Sequence, residues 1–346
     1  MISALTPTTP ERLPLLRLLA GFLERQTRVP DEWVVVLSGD GLTMSVRREV
    51  AAVLAAFSGR GVVIEQEGWV PIGRLRNLLI DAATGDVLIH FDDDDYYPPT
   101  RVADACTLLE QGWSIVGASR ALWFDPKLGG FQSGPFGEYH SLANALAYRR
   151  EYCAGHRFDE AARFGEETAF TRFFSMPMGQ LDAGRTVVQG IHALNTYSKR
   201  RVLLDRNREE KRVRPLASPP VVPADYRRQL ETLSRRTEDR VWSGMPLEQV
   251  VFLGNAGFSR EWLHDPEFLR LAGLDPDRPL VVFEAVDTVE QGPEYRRHPY
   301  WEMPLSLPVG HLVLLGPAAE PLQIVASVID ASKVTSIPWL PDSPQA

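Results

Sequence analysis

The chain has 346 residues, about two average domains by length. Its 37 Lys and Arg against 45 Asp and Glu leave a formal net charge of −8, which speaks against a general binder of nucleic acid or of anionic membranes. With 44% hydrophobic and 24% charged residues it has the composition of a globular protein with material for a large core, and disorder of the whole chain is excluded.

The first half alternates between strand and helix patterns. Ile2 to Leu5 is a short apolar run ending in a Thr/Pro turn, Thr6 to Pro10. Glu11 to Arg25 then carries Leu15, Leu18, Leu19 and Phe22 at helical spacing. Trp33 to Leu37 reads as a buried strand stopped by Ser38-Gly39-Asp40-Gly41. A helix over 45–57, a strand over 61–65, a helix over 72–82 and a strand over 87–91 follow. Near-continuous apolar strands alternating with helices predict an α/β fold, with a mostly parallel, Rossmann-like sheet covered by helices on both faces. Such sheets bind ligands beyond the carboxyl ends of their strands, so the turns after Leu5, Leu37, Glu65 and Phe91 are the places to inspect.

Further along, strand patterns are expected at 113–118, through a hairpin at 120–132, near 142–149 and at 186–191, with a helix over 166–174. Ser198 to Arg214 holds eight basic and three acidic residues, and a Pro-rich stretch, Pro215 to Pro223, leads into a helix over 225–240. Strand-like runs at 250–253, 280–283, 311–315 and 322–329 predict a smaller C-terminal α/β region. The expected division is 1–214, a linker and helix over 215–243, and an accessory region over 244–346. The two cysteines, Cys106 and Cys153, form neither a disulfide framework nor a CxxC pair, which fits a reducing cytoplasm. No window approaches the ~18 apolar residues of a membrane span, and Leu13 to Leu23, interrupted by Arg17, reads as an amphipathic helix rather than a signal peptide.

The sharpest local feature is Asp92-Asp93-Asp94-Asp95, directly after an apolar strand and before Tyr96-Tyr97-Pro98-Pro99. Adjacent carboxylates repel one another unless a cation relieves them, and carboxylate oxygens suit Mg²⁺ or Mn²⁺, which also take phosphate oxygens. In extended backbone Asp93 and Asp95 would face one ligand together.

Gly73-x-x-Arg76-Asn77, Ala82-x-x-Gly85-Asp86 and Ile89-x-Phe91-Asp92-Asp93-Asp94-Asp95-x-Tyr97-x-Pro99, in that order, resemble the core signature of family-2 inverting glycosyltransferases with the GT-A fold. Leu5-Thr6-Pro7-Thr8 followed by Arg12, and Glu32 to Val36 ending in Asp40-Gly41, resemble that family's first two strands. The resemblance spans about residues 2 to 200. It implies a nucleotide-diphospho-sugar donor, most often a UDP-sugar, a divalent cation (Mn²⁺ or Mg²⁺), and a glycan or other hydroxyl acceptor. Asp95 is then the expected metal ligand, Asp93 lies near the ribose or the metal, and Asp94 belongs to the same motif in an open register. Thr6, Pro7, Thr8 and Asp40 would cradle the nucleoside, and Arg76 would support the diphosphate or hold the aspartates.

Gly165-Glu166-Glu167 resembles the family's Gly-Glu-Asp, whose second acid is the catalytic base, which makes Glu167 the expected base with Glu166 beside it. His192 would contact the metal or the diphosphate. Lys199 and Arg200, opening the basic stretch, would neutralise the leaving group. Trp123 is the acceptor-site candidate among the aromatic residues. The 244–346 region would bind acceptor or make an oligomer contact. Two other readings stay open: a degenerate, non-catalytic transferase scaffold, and a sugar nucleotidyltransferase. The second expects a Gly-rich first turn, which Thr6 to Pro10 lacks.

Overall fold

The computed structural model describes residues 1–162, 165–192, 194–195, 199–203, 212–242, 249–253, 269–270, 274–275, 278, 280–284, 290–291, 295–299, 309–315 and 331–337. The chain divides into two compact units: Met1–Tyr197 with Lys211–Leu230, and Ser198–Glu210 with Glu231–Ala346.

The first unit is α/β, as the alternation predicts. β1 (Ile2–Thr8), α1 (Leu13–Glu24), β2 (Glu32–Gly39), α2 (Met44–Ala55), β3 (Arg60–Glu67), α3 (Ile72–Ala82) and β4 (Val87–His90) follow in order. β5 (Asp95–Tyr96), α4 (Arg101–Glu110), β6 (Ile115–Gly117), the hairpin of β7 (Ala121–Asp125) and β8 (Gly129–Ser133), and β9 (Ala147–Arg149) come next. α5 (Glu167–Phe170), β10 (Gly179–Gln180), α6 (Ala183–Thr186), β11 (Val188–Gly190) and, after the basic stretch, β12 (Val213–Pro215) complete its strands and short helices. The main sheet has seven strands in the order β10-β6-β9-β4-β1-β2-β3. β1, β2, β3 and β4 run parallel, and β9 is antiparallel to both of its neighbours, β4 and β6. A smaller sheet, β12-β8-β7-β11-β5, stands beside it.

The burial pattern explains the near-continuous apolar strands. Every residue of β2 from Trp33 to Leu37 is fully buried, because both faces are covered. Val34 and Val36 pack into one core cluster with Leu75, Leu79 and Ile80 of α3. Trp33, pointing the other way, meets Phe57 beyond the end of α2 edge-to-face at 5.7 Å. β3, at the edge, alternates between exposed and half-covered residues as a one-sided strand does.

β1 leads to β2 on one side and pairs with β4 on the other. Connections therefore diverge at the β1/β4 pair, the point at which such sheets take ligands, and the four aspartates follow directly beyond the His90 end of β4.

Several expectations shift. β1 continues through Thr6, Pro7 and Thr8 instead of turning at Thr6, with Pro7 in register with Val36 and beyond the last β4 pairing, Leu5 with His90. The 142–149 strand is a 3-10 turn at Ala143–Ala145 followed by β9. The helix expected over 166–174 stops at Phe170, because Arg172, Phe173 and Phe174 take left-handed backbone conformations with φ of 48°, 58° and 55°. α8 (Ala224–Trp242) matches the expected helix over 225–240, and its residues up to Leu230 belong to the first unit.

Among the described residues the second unit contains α7 (Lys199–Leu203) and six strands: β13 (Gln249–Leu253), β14 (Leu280–Glu284), β15 (Glu290–Gln291), β16 (Tyr295–Pro299), β17 (Val309–Leu315) and β18 (Ala331–Ile337). They form one sheet, β15-β16-β14-β13-β17-β18, parallel except for the β15–β16 pair. Three of the four expected C-terminal strands coincide with β13, β14 and β17, and the run 322–329 lies outside the described residues. Among the described residues no helix is long and apolar enough to cross a membrane.

Leu79 is fully buried at the centre of the α3–sheet cluster. Leu79→Ala is expected to cost about 2–5 kcal/mol, read as a lower midpoint in chemical denaturation with an unchanged slope.

Candidate active site

The aspartate run does not continue β4 as an extended strand. Asp93 and Asp94 form a turn before β5 begins at Asp95, so the alternation that would align Asp93 with Asp95 is broken. Each carboxylate acquires its own surroundings.

Asp92 accepts two bonds from the Arg76 guanidinium, Nη1 at 3.0 Å and Nη2 at 3.2 Å. Asp93 accepts from the Thr8 hydroxyl at 2.6 Å and from Arg12 Nη1 at 3.0 Å. Burial raises the Asp93 carboxyl above its ordinary range, and Arg12 draws it back. On Asp94, one oxygen, Oδ2, receives three nitrogens: Arg12 Nη1 at 3.2 Å, His192 Nε2 at 3.2 Å and Asn195 Nδ2 at 3.1 Å. The Asp94 backbone carbonyl accepts from the Tyr226 hydroxyl at 2.7 Å. Asp95 takes the side-chain amide of Asn144 and the backbone N–H of Gly190 at 3.2 Å, the second bond stitching β5 to β11.

His192 stands against Asp94. Its Nδ1 accepts the backbone N–H of Leu194 at 3.1 Å, so the hydrogen-bond network assigns the ring proton to Nε2, which donates to Asp94. In this arrangement His192 orients Asp94.

A second acidic group stands at α5. Glu166 accepts Arg76 Nε at 2.6 Å, so one guanidinium, 3% exposed, joins Asp92 to Glu166. Burial works against the Arg76 charge, but the two carboxylates outweigh it and raise its pKa. Glu167 makes no ion pair among the described residues. Burial, and then the charge of Glu166, push its carboxyl up to about 7.

Helix α3 and an aromatic stack locate this group. Asn77 exchanges bonds with the Phe158 backbone, Nδ2 to O at 3.0 Å and N–H to Oδ1 at 3.1 Å. At Gly73 a Cβ would lie 1.8 Å from the Asp159 carbonyl oxygen, which is why a residue without a side chain opens this helix. Phe158 and Phe170 stack at 4.2 Å with their planes 3° apart, and Tyr152 donates to the Phe170 carbonyl. Gly73, Arg76 and Asn77 thus act together, binding the loop that precedes α5 and tying it to Asp92. Of the two roles expected for Arg76, the one seen is holding an aspartate, and its nitrogens are engaged within the protein.

The remaining expected residues divide. Thr8 reaches the aspartates, but Thr6 is fully buried and its hydroxyl accepts the Trp33 indole N–H at 2.9 Å. Pro7 is buried within β1. Asp40 is exposed at the end of β2, beyond Gly39. Lys199 and Arg200 begin α7 in the second unit, and the side chain of Arg200 lies outside the described residues. Trp123 is 6% exposed, with an indole N–H that has no partner among the described residues. Arg12, Asn144, Asn195 and Tyr226 are the participants that the sequence reading left without a role. Arg12 had a signal, its place after the first strand, whereas Tyr226 lies 132 residues from Asp94 and had none.

Carboxylate oxygens suit a hard divalent ion, whereas the nitrogens that surround Asp94 donate hydrogen bonds to it. Among the described residues no three His, Cys, Asp or Glu are grouped as a metal cage. Mg²⁺-type sites in phosphate chemistry commonly use one or two carboxylates and take their remaining ligands from phosphate and water. Moreover, the Asp93–Asp94 pair already holds a cation, the Arg12 guanidinium. The carboxylate oxygens of Asp93 and Asp94 are of the type such an ion takes.

Residues 3–165 match the model of the family described as Glycosyl transferase family 2. This segment includes all four aspartates and lies within the first unit. No curated protein sequence matches the chain. Similar solved structures include S. aureus TarS, at 15% identity and a TM-score of 0.38, covering 79% of this chain and 50% of that one. The mannosyltransferase PcManGT from Pyrobaculum calidifontis, in complex with GDP-Man and Mn²⁺, is 16% identical with a TM-score of 0.44, over 70% of this chain and 75% of that one. TarS 1–349 in complex with UDP is 15% identical with a TM-score of 0.38, over 79% and 83%. The chain thus spans half the length of full TarS.

Gly73→Ala is expected to cost about 1–3 kcal/mol by overpacking against Asp159. Calorimetric melting would give a lower transition temperature, and hydrogen exchange would show lost protection in residues 158–170 with less change in α1 and β2.

Proposed function

We propose that the chain is a metal-dependent, inverting glycosyltransferase that moves one sugar from a nucleotide-diphospho-sugar, with UDP as the leading nucleotide, to an acceptor hydroxyl. One observation carries this reading: a carboxylate array at the β1/β4 divergence is joined by a single buried guanidinium to a second acidic pair whose outer member, Glu167, is desolvated and has no ion-pair partner among the described residues.

In this reading the nucleoside lies between the Thr8 end of β1 and the Asp40 end of β2, with Thr6 and Pro7 fixing the strand beneath it. Asp93 and Asp94 face the diphosphate. Asp94, oriented by His192, would hold Mn²⁺ or Mg²⁺, and the ion supplies charge to the departing diphosphate. Asp95 and Arg76 keep the loop in place. Lys199 and Arg200 are proposed as further positive charge for the leaving group.

Glu167 is the general base. The acceptor oxygen forms a bond to the anomeric carbon as the bond from that carbon to the diphosphate oxygen breaks, and the hydroxyl proton passes to the Glu167 carboxylate. Attack opposite the leaving group inverts the anomeric centre. A base with its pKa raised to about 7 by burial is matched to that transfer near neutral pH. Glu166, already paired with Arg76, holds the geometry and keeps its neighbour's pKa high. The two cysteines, Cys106 and Cys153, are free thiols, which supports a cytoplasmic site of action. The 244–346 region is proposed to contact acceptor or a second copy.

Two outcomes test the base. The transfer rate should rise with pH and level off above about 7, because only the ionised carboxylate accepts the proton. Glu167→Gln should lose ~10²-fold or more in kcat while keeping nucleotide affinity. Because a raised carboxyl pKa means that ionising Glu167 works against the folded state, its contribution worsens as pH climbs through about 7. The same variant should therefore melt at a higher temperature than the parent at pH 8. Full transfer activity in Glu167→Gln would reject the assignment. Donor hydrolysis across a panel of nucleotide sugars would name the sugar, and no nucleotide binding at all would reject the enzyme.

A further inference from the structure

The first unit includes residues 211–230, which lie beyond the segment matched by the family model, and with them the start of α8. Tyr226 and Leu230, one helical turn apart, are both fully buried and face the same point. That point is Gly190, where β11 ends: a Cβ there would lie 2.4 Å from the Tyr226 hydroxyl oxygen, 3.0 Å from Leu230 Cδ2 and 2.8 Å from the Asp94 carbonyl oxygen. The antiparallel pairing of Tyr96 with Val188 and of Asp95 with Gln189 brings Asp94 opposite Gly190 at the next step. A glycine at this step leaves room for the phenol, which donates its proton to the Asp94 carbonyl at 2.7 Å. We infer that Tyr226 is a positioning residue for the donor: its hydroxyl fixes the peptide that follows Asp94, and with it the turn that presents Asp93 and Asp94 to the diphosphate. The inference rests on the reading above that this turn faces the diphosphate.

Three features give the hydroxyl a role beyond the packing of its ring. First, Asp93 and Asp94 lie in a turn between β4 and β5, where no regular strand geometry sets the direction of each peptide. Because a peptide unit is planar, holding its carbonyl oxygen fixes the backbone rotation beside Asp94 and so the direction in which that side chain leaves. Second, the bond is buried. A buried carbonyl deprived of a donor is costly, so loss of the hydroxyl favours a rotated peptide over the present one. Third, the phenol is itself locked. Its ring meets Phe22 of α1 edge-on at 5.8 Å and Tyr96 of β5 at 6.2 Å, and those two rings meet each other edge-to-face at 5.1 Å. Elements far apart in sequence thus set where one proton donor stands, as a precise site requires of its supports. Tyr226 touches no reacting atom and acts through the Asp94 backbone.

Calorimetry of UDP and GDP binding with Mn²⁺ present, and NMR titration of uridine and guanosine, both on the full chain, test this. Tyr226→Phe keeps the ring and removes only the hydroxyl. It should bind the preferred nucleoside diphosphate about 10-fold more weakly than the parent, the size of one hydrogen bond's net contribution. Its affinity for the matching nucleoside should equal the parent's, because the nucleoside is held at the ends of β1 and β2 and not by the Asp94 peptide. Leu230→Val thins the packing against Gly190 and leaves the hydroxyl, so it should lower the melting temperature and keep the parent's diphosphate affinity. Unchanged diphosphate affinity in folded Tyr226→Phe overturns the inference, as does an equal loss for nucleoside and diphosphate. A diphosphate-selective loss of the same size in Leu230→Val makes packing the cause and overturns it too, whether or not the phenylalanine variant folds. A Tyr226→Phe chain that does not fold makes the hydroxyl a requirement of folding, which likewise overturns positioning. All these outcomes leave the glycosyltransferase reading intact. Binding of no nucleotide by the parent overturns both that reading and the inference.

Discussion

The site depends on one buried ion triad. Arg76 lies at 3% exposure between Asp92 and Glu166, with Nη1 also 3.4 Å from the Nδ1 of buried His90. A guanidinium removed from water is tolerated only where carboxylates and hydrogen bonds surround it. That requirement fixes the loop after β4 and the turn before α5 to one side chain of one helix. Gly73 and Asn77, on the same helix, add close backbone contact and two hydrogen bonds to the 158–159 segment. The loop that presents the aspartates and the segment that presents the base are thus set against a common support.

Around that support, chemically identical groups are made different. Asp92 takes a bidentate cation, Asp93 a hydroxyl and a cation, Asp94 a cation with nitrogens of His192 and Asn195, and Asp95 the Asn144 amide and a backbone N–H. Glu166 and Glu167 are adjacent in sequence, yet the first is paired with Arg76 and the second is left desolvated beside its neighbour's charge. Pushing the proton affinities of neighbouring carboxyls apart lets one serve as an electrostatic fixture and the other as a proton acceptor near neutral pH.

Much of the fold could be read along the chain. Continuous apolar runs such as Trp33 to Leu37 declare a doubly covered parallel strand because both sets of alternating side chains must be buried. The helix with Leu15, Leu19 and Phe22 declares its buried face in the same way. The run of four aspartates is conspicuous because charges so dense require a partner, whereas the Glu166–Glu167 pair stands out only by its resemblance to the family's Gly-Glu-Asp. Less could be read where the local backbone departs from regular geometry. The turn at Asp93–Asp94 undid the expected alternation, and three left-handed residues after Thr171 ended α5 early. The sequence pattern also placed Thr6 and Pro7 in a turn, whereas pairing with β2 keeps both in strand through Thr8.

The amino-acid sequence by itself determined the α/β alternation and the order of the acidic clusters, since these follow from periodicity and charge density within a few residues, whereas the need for glycine at Gly73 comes from the distant Asp159 carbonyl. Only the tertiary structure decided which carboxylate faces which partner. Arg12 meets Asp93 across 81 positions, Asn144 meets Asp95 across 49, and Tyr226 meets the Asp94 backbone across 132. Hydrogen bonds of that span are set by how the sheet order brings strand ends together, and no local pattern of residue types records it.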